Sequence, residues 1–269
     1  MEEKIVFVLL TDENYFNKCK KTILDLKSIG KWIGDVVVIS VNFNIPDNFK
    51  KLYNIIEVSF QEINKHKLIN LIKTPFEDSD QREFNKLNQW EKLHVFDTYF
   101  LNWDKVIFLD AGLRILDSVE YLLNLDCNHV FMAPNDAGVN ENPNKIFSSQ
   151  ISCRDTQLVD NLTNEFGKEI LNSQYFLNCI WMYDTKILNV IKKEEMIEYM
   201  YKYPLCKTNE MTIMNLIIHF KYKLWKPFPH YIPDKTKYLF DWCELNNYGT
   251  RWNNYCYLKY PVTISFDDV

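Results

Sequence analysis

The sequence predicts a single α/β domain, residues 1–269, built on a mostly parallel sheet flanked by helices. Three observations carry that reading. Ile5 to Leu10 is an unbroken apolar run and Val36 to Val41 is apolar but for Ser40, the pattern of strands buried on both faces. Between them, apolar residues recur at Phe16, Cys19, Ile23 and Leu26, which marks one stripe of a helix. A further buried run, Val106 to Leu109, follows a long amphipathic segment, and no repeat or Gly/Ser-rich linker divides the chain.

In order along the chain, the first strand runs into Thr11-Asp12-Glu13-Asn14, polar residues able to cap the next helix, and Gly30 is placed to end it. Strand, helix and strand within the first 41 residues form a βαβ unit, which implies parallel pairing. Residues 44–83 mix charged and turn-like patches without a clear period. Phe84, Leu87, Trp90, Leu93, Phe96 and Phe100 then predict one amphipathic helix. The strand Val106-Ile107-Phe108-Leu109 ends in Asp110-Ala111-Gly112. Asp117-Ser118-Val119-Glu120 has capping-box spacing and predicts a short helix. Val130 to Ala133 and Cys179 to Tyr183 read as strands, and Met211 to Phe220 as a helix. From Tyr222 to Tyr260 the chain is dense in rings, Trp242, Tyr248, Trp252 and Tyr257 among them. These either complete the core and cover the sheet edge, or form a wall on which sugar faces stack.

Composition excludes several classes. A net charge of -5 argues against a broad basic face, so no nucleic-acid partner is expected. The 6 glycines include no G-x-G, which removes the dinucleotide fingerprint and the phosphate-cradling Walker loop. The 7 cysteines include no C-x-x-C, and no basic leader precedes the first strand. They read as reduced, mostly buried thiols of a cytoplasmic protein. The early apolar run is far short of the ~20 residues of a membrane span, so no transmembrane segment is expected.

In open parallel sheets, ligands bind beyond the carboxyl ends of the strands. Two strands end there in carboxylates, at Asp12 and at Asp110. An oxygen ligand held rigidly at that rim suits a hard divalent cation, and a tight turn eased by Gly112 suits it equally. Asn85, Asn88 and Lys92 share one stripe at helical spacing. It is either a solvated face or a cover for a diphosphate with Lys92 as its point charge.

The stretches Glu91-Lys92-Leu93-His94-Val95-Phe96, Trp103 to Gly112 and Ile115 to Leu122 resemble the donor-site segment of the glycogenin-like glycosyltransferases. That family's pattern is T-K-L-x-x-W/F, a hydrophobic run into D-x-D, then a short helix. Val8 to Tyr15 is similar to the family's first strand and its T-x-D-x-Y turn. The resemblance implies a GT-A (Rossmann-like) fold. Residues up to about 125 would form a nucleotide-sugar half, and residues from about 126 an acceptor half. It further implies that Thr11 and Asp12 border the base, that Tyr15 stacks on it, and that Arg82, Asn88 and Lys92 meet the sugar diphosphate. Asp110, within Asp110-Ala111-Gly112, would bind Mn2+ or Mg2+.

Gln174 to Tyr183 falls where the family has D-x-F-N-S-G and an apolar strand, which points to Gln174 and Asn178 as catalytic residues beside Lys92. Glu210 occupies the acidic slot of D-Q-x-x-L-N, as a second metal candidate. Two departures stand out. Gly112 replaces the second carboxylate, and Lys259-Tyr260-Pro261 lies near the place of the late K-P-W without the histidine ligand that precedes it.

The activity implied is transfer of a hexose from a nucleotide-diphosphate sugar, UDP-sugar first, to an acceptor hydroxyl with retention. The partners are a glycan or protein acceptor and, as a candidate, a second copy forming a homodimer. The alternative is a catalytically weakened nucleotide-sugar or glycan-binding protein on the same fold. A nucleotidyltransferase would carry a glycine-rich loop before the first helix, and this chain has none.

Overall fold

Alternating burial along the strands sets the layering. The computed structural model describes residues 3–72, 74–76, 80–139, 141–242 and 252–259. In β1 (Ile5–Thr11), Val6 and Val8 face one hydrophobic core while Phe7 and Leu9 face another. β4 (Lys105–Leu109) repeats this with Val106 and Phe108 against Ile107 and Leu109. A strand apolar at every position therefore lies between two packed layers.

The central sheet has seven strands among the described residues, in the order β3-β2-β1-β4-β7-β6-β8. β2 is Asp35–Ser40, β3 Ile55–Val58, β6 Phe131–Ala133, β7 Ile180–Asp184 and β8 Trp225–Pro227. The pairs β1/β2, β2/β3, β1/β4 and β6/β8 are parallel, and only β7 runs against both of its neighbours. A second sheet has the order β5-β10-β9, from Leu113–Ile115, Tyr255–Lys259 and Tyr238–Trp242. The helices are α1 (Phe16–Ser28), α2 (Asp47–Tyr53), α3 (Lys65–Ile72), α4 (Arg82–Asn85), α5 (Glu120–Leu123), α6 (Thr156–Phe166), α7 (Lys193–Lys202) and α8 (Glu210–Met214). No described helix is long and apolar enough to cross a membrane.

Three expectations are corrected. The segment 84–100 is not one amphipathic helix. α4 gives way to a 3-10 stretch over Leu87–Phe96 and another over Thr98–Asn102. The reason lies in its own spacing. Phe84, Leu87, Trp90, Leu93 and Phe96 recur every three residues, the 3-10 period, in which i and i+3 eclipse. Asn88 and Lys92 therefore do not share a stripe, and Lys92 is buried rather than solvated. The capping box at Asp117–Glu120 does not form. Lys237 draws the Asp117 carboxylate away at 2.6 Å, and the Glu120 amide donates to Ser118 Oγ instead. The helix expected from Met211 to Phe220 is α-helical only to Met214 and continues as a π-helical turn over Asn215–Lys221.

Cys19, Cys127, Cys179, Cys206 and Cys256 are buried free thiols and Cys153 is exposed. Cys243 lies outside the described residues, as do Tyr248, Tyr260 and Pro261.

α1 is tied to β5 by a buried ion pair, Arg114 Nε to Asp25 Oδ2 at 2.5 Å. Asp25→Ala leaves a buried guanidinium without its carboxylate. The expected loss is about 3–5 kcal/mol of stability, read as a lower urea midpoint with an unchanged slope.

Candidate active site

The sheet order reverses at β1, which lies between β2 and β4. Val8 pairs with Phe108, so β1 and β4 leave the sheet side by side and deliver Asp12 and Asp110 to one rim. Such a switch point opens a crevice. Here it holds a cavity of about 690 Å³, walled by Asp12 and Tyr15, by Arg82, Asn88 and Lys92, by Asp110 and Ala111, and by Asn178, Glu210, Trp242 and Lys259.

The turn after β4 fixes Asp110. Its amide donates to Cys179 O at 2.8 Å, and its carbonyl accepts from Leu113 N at 3.0 Å. Gly112 closes the turn at φ 89°, where a side chain is strained. Its amide donates to Thr22 Oγ1 at 3.0 Å, and that hydroxyl donates to Leu113 O at 2.9 Å. Gly112 is thus turned into the core and brings no group to the cavity.

Lys92, 4% exposed, stands at the centre of the charge cluster. Its ammonium meets Asp110 Oδ1 at 2.8 Å and Glu210 Oε1 at 3.0 Å. Burial works to lower its pKa, and the two carboxylates outweigh it, so Lys92 is held above the ordinary lysine value. Burial would raise Asp110, but the Lys92 and Lys259 ammoniums prevail and keep it below the usual carboxylate range. At Glu210 burial wins, and its carboxyl is lifted in spite of Lys92.

Glu210 begins α8, and Asn209 sets its place. The Asn209 amide donates to Arg82 O, Lys86 O and Gln89 Oε1, each at 3.1 Å, which staples the start of α8 to the segment carrying Lys92. Asn178 Nδ2 donates to Glu210 Oε1 at 2.6 Å, while Glu210 Oε2 is buried with no hydrogen-bond partner among the described residues. Both atoms of Asp12 are engaged locally, Oδ1 by the Tyr15 amide at 3.0 Å and Oδ2 by Asn88 Nδ2 at 2.8 Å. Tyr15 is half-buried, and burial, with Asp12 and Asp110 nearby, raises its hydroxyl above the ordinary tyrosine value. Arg82 Nη2 meets Asp80 at 3.1 Å, and its buried Nε has no hydrogen-bond partner among the described residues.

Most of the residues singled out in the sequence therefore meet at one cavity. Thr11 lines it but is wholly buried, with its hydroxyl on Asp12 O. Gly112 and Gln174 are the exceptions, both outside the cavity walls. Gln174 is exposed, and its Oε1 accepts from Asn135 Nδ2 at 2.7 Å. Sequence reasoning missed Asn209 and the role of Lys259, and it named Trp242 only as one ring among many. Lys259 carried only the signal of its late position before a proline. Trp242, 40% exposed, lines the cavity, whereas Phe228 and Tyr257 belong to the core, and Tyr231, Tyr238 and Tyr255 stack on one another.

The donor set does not fit a divalent cation. Both Asp110 oxygens face ammonium groups, Glu210 Oε1 is taken by Lys92 and Asn178, and Gly112 offers nothing. Among the described residues no group of three or more His, Cys, Asp or Glu side chains is disposed to hold a metal. One remaining oxygen, Glu210 Oε2, is not a chelate.

No family model matches the chain, and no curated protein matches it in sequence. Solved structures do match in fold. The galactosyltransferase LgtC, in complex with donor and acceptor sugar analogues, superposes with a TM-score of 0.58 at 14% identity, over 95% of this chain and 86% of that one. Core-mannan synthase A from Aspergillus fumigatus, in its Mn/GDP form, gives 0.56 at 9% identity, over 84% and 73%. The bifunctional glycosyltransferase WbbM gives 0.56 at 14% identity; this chain spans 46% of its length. The seven-stranded, mostly parallel sheet with its flanking helices is thus the GT-A arrangement, a fold this chain shares with glycosyltransferases.

Proposed function

We propose that this protein moves a hexose from a nucleotide-diphosphate sugar, UDP-hexose first, to a hydroxyl of a glycan or protein acceptor. The observation that carries the reading is the buried Asp110–Lys92–Glu210 cluster at the rim of β1 and β4, beside a cavity that also holds Asp12, Tyr15 and Asn88. The half of the chain up to about residue 125 supplies the nucleotide side, and the remainder supplies the acceptor side with Trp242. Breaking the anomeric C–O bond leaves negative charge on the diphosphate. The Lys92 ammonium, dry and already oriented by two carboxylates, stabilises that charge without reorganising. The acceptor hydroxyl is held against the anomeric carbon. With retention, its proton passes to the leaving diphosphate, so no histidine base is required.

A binding protein without turnover is the second reading, favoured by Gln174 lying outside the cavity. Thermal unfolding tests the shared part. A nucleoside diphosphate at a hundred times its Kd adds about 2.7 kcal/mol, a rise in Tm of about 5 °C or more. UDP is expected to give that rise and uridine a smaller one. No rise with UDP or GDP sinks both readings, and hydrolysis of UDP-hexoses separates enzyme from binder.

A further inference from the structure

We propose that Lys259, paired with Lys92, supplies the positive charge for the donor's diphosphate, so that nucleotide binding at this site needs no divalent cation. This rests on the donor-binding reading above and departs from the D-x-D arrangement that the resemblance implied.

Lys259 is built into the site, not laid over it. It ends β10, which pairs antiparallel with β5 so that Lys259 lies opposite Leu113, directly above the Asp110–Leu113 turn. The residue is 7% exposed, and its ammonium donates to Ala111 O at 2.6 Å and faces Asp110 Oδ2 at 3.5 Å. An ammonium has three N–H groups. Among the described residues these two partners leave it room for one further acceptor, and Lys259 lines the cavity. Holding a buried ammonium this way costs desolvation, which lowers its pKa against the pull of Asp110. A surface lysine would avoid that cost, so the burial points to a ligand of opposite charge.

The rest of the site agrees. Lys92 and Lys259 take one oxygen each of Asp110, the residue that would have to ligate a metal. Two residues on, where a second carboxylate would stand, the turn demands φ 89° and places Gly112. Asp110 therefore spaces two cations. Arg82 adds a third cationic group to the same cavity, with its buried Nε free of any hydrogen-bond partner among the described residues. Two ammonium groups at the pyrophosphate can do what a cation bridging its oxygens does, as point charges in a partly dry cleft.

The test is calorimetric titration of the full chain with UDP, and with uridine as the phosphate-free control, in EDTA and in Mn2+. UDP is expected to bind in EDTA with an affinity within about threefold of that in Mn2+, less than 1 kcal/mol. Lys259→Met is expected to weaken UDP by about tenfold to a hundredfold, the loss of one charge-assisted hydrogen bond, and to leave uridine unchanged. Lys259→Arg, with the charge kept, is expected to restore most of the loss, which guards against a Lys259→Met variant that folds poorly. Binding of UDP only when Mn2+ is present overturns this inference and leaves the donor-binding reading standing. Equal UDP affinity in wild type and in Lys259→Met overturns it as well. Failure of UDP and GDP to bind under either condition removes the donor-binding reading and this inference together.

Discussion

Lys92→Met is expected to lower the rate of sugar transfer by about a hundredfold to a thousandfold, the cost of removing a preorganised charge from a water-poor site. Two observations raise the effect above that of an ordinary lysine substitution. The ammonium bridges Asp110 Oδ1 and Glu210 Oε1, so its loss leaves two carboxylates facing each other. Glu210 is 1% exposed and already lifted by burial, so it takes up a proton and the polar cluster collapses toward a neutral pair. Stability falls too, by about 3–5 kcal/mol. Steady-state rates combined with urea titration separate the two losses. Lys92→Arg is not expected to rescue transfer, because a planar guanidinium cannot sit at 2.8 Å and 3.0 Å from the same two oxygens as a point charge does. Transfer retained in Lys92→Met, after correction for folded protein, would return this residue to a purely structural role.

Asp110→Asn separates the two ways of reading the rim. The substitution keeps shape and removes charge. If Asp110 is the spacer between Lys92 and Lys259, transfer falls by about a hundredfold because both ammoniums lose their fixed position. UDP binding in EDTA nevertheless holds within about threefold or tightens, since no carboxylate then competes with the phosphate oxygens for the two cations. If Asp110 is instead a metal ligand, UDP binding collapses with the substitution and Mn2+ ceases to influence it. Titration of the variant with UDP in EDTA and in Mn2+ distinguishes these outcomes.

The sheet was legible because strands buried on both faces write apolar runs, and Ile5–Leu10 has the strands containing Val36–Ile39 and Val106–Leu109 as its two parallel neighbours. The rim was legible for the same reason: Asp110 follows its run directly and Asp12 follows after Thr11. The segment that carries Lys92 was misread because the spacing of three was taken for the nearest α-helical pattern. From Trp90 to Phe96 the 3-10 stretch is buried at every position, Glu91, Lys92 and His94 included, and so has no solvated side for a periodicity argument to find. Gln174 lies in a loop, where no periodicity constrains register, and the structure places it outside the cavity walls. Lys259 was invisible as a site residue because its meaning lies in a pairing between β10 and β5, residues more than a hundred apart, and local pattern says nothing of such distance.

That pairing has a consequence for biosynthesis. Lys259 grips Ala111 across 148 positions of chain, and β10 is laid beside β5 only after the whole of the intervening sequence has been made. A nascent polypeptide leaving the ribosome can pair β1 with β2 early and β1 with β4 only once Lys105 to Phe108 have emerged, yet the cavity lacks its Lys259 wall until β10 follows. A polypeptide halted before Tyr255 therefore carries the β1–β2–β4 scaffold without the grip of Lys259 on Ala111.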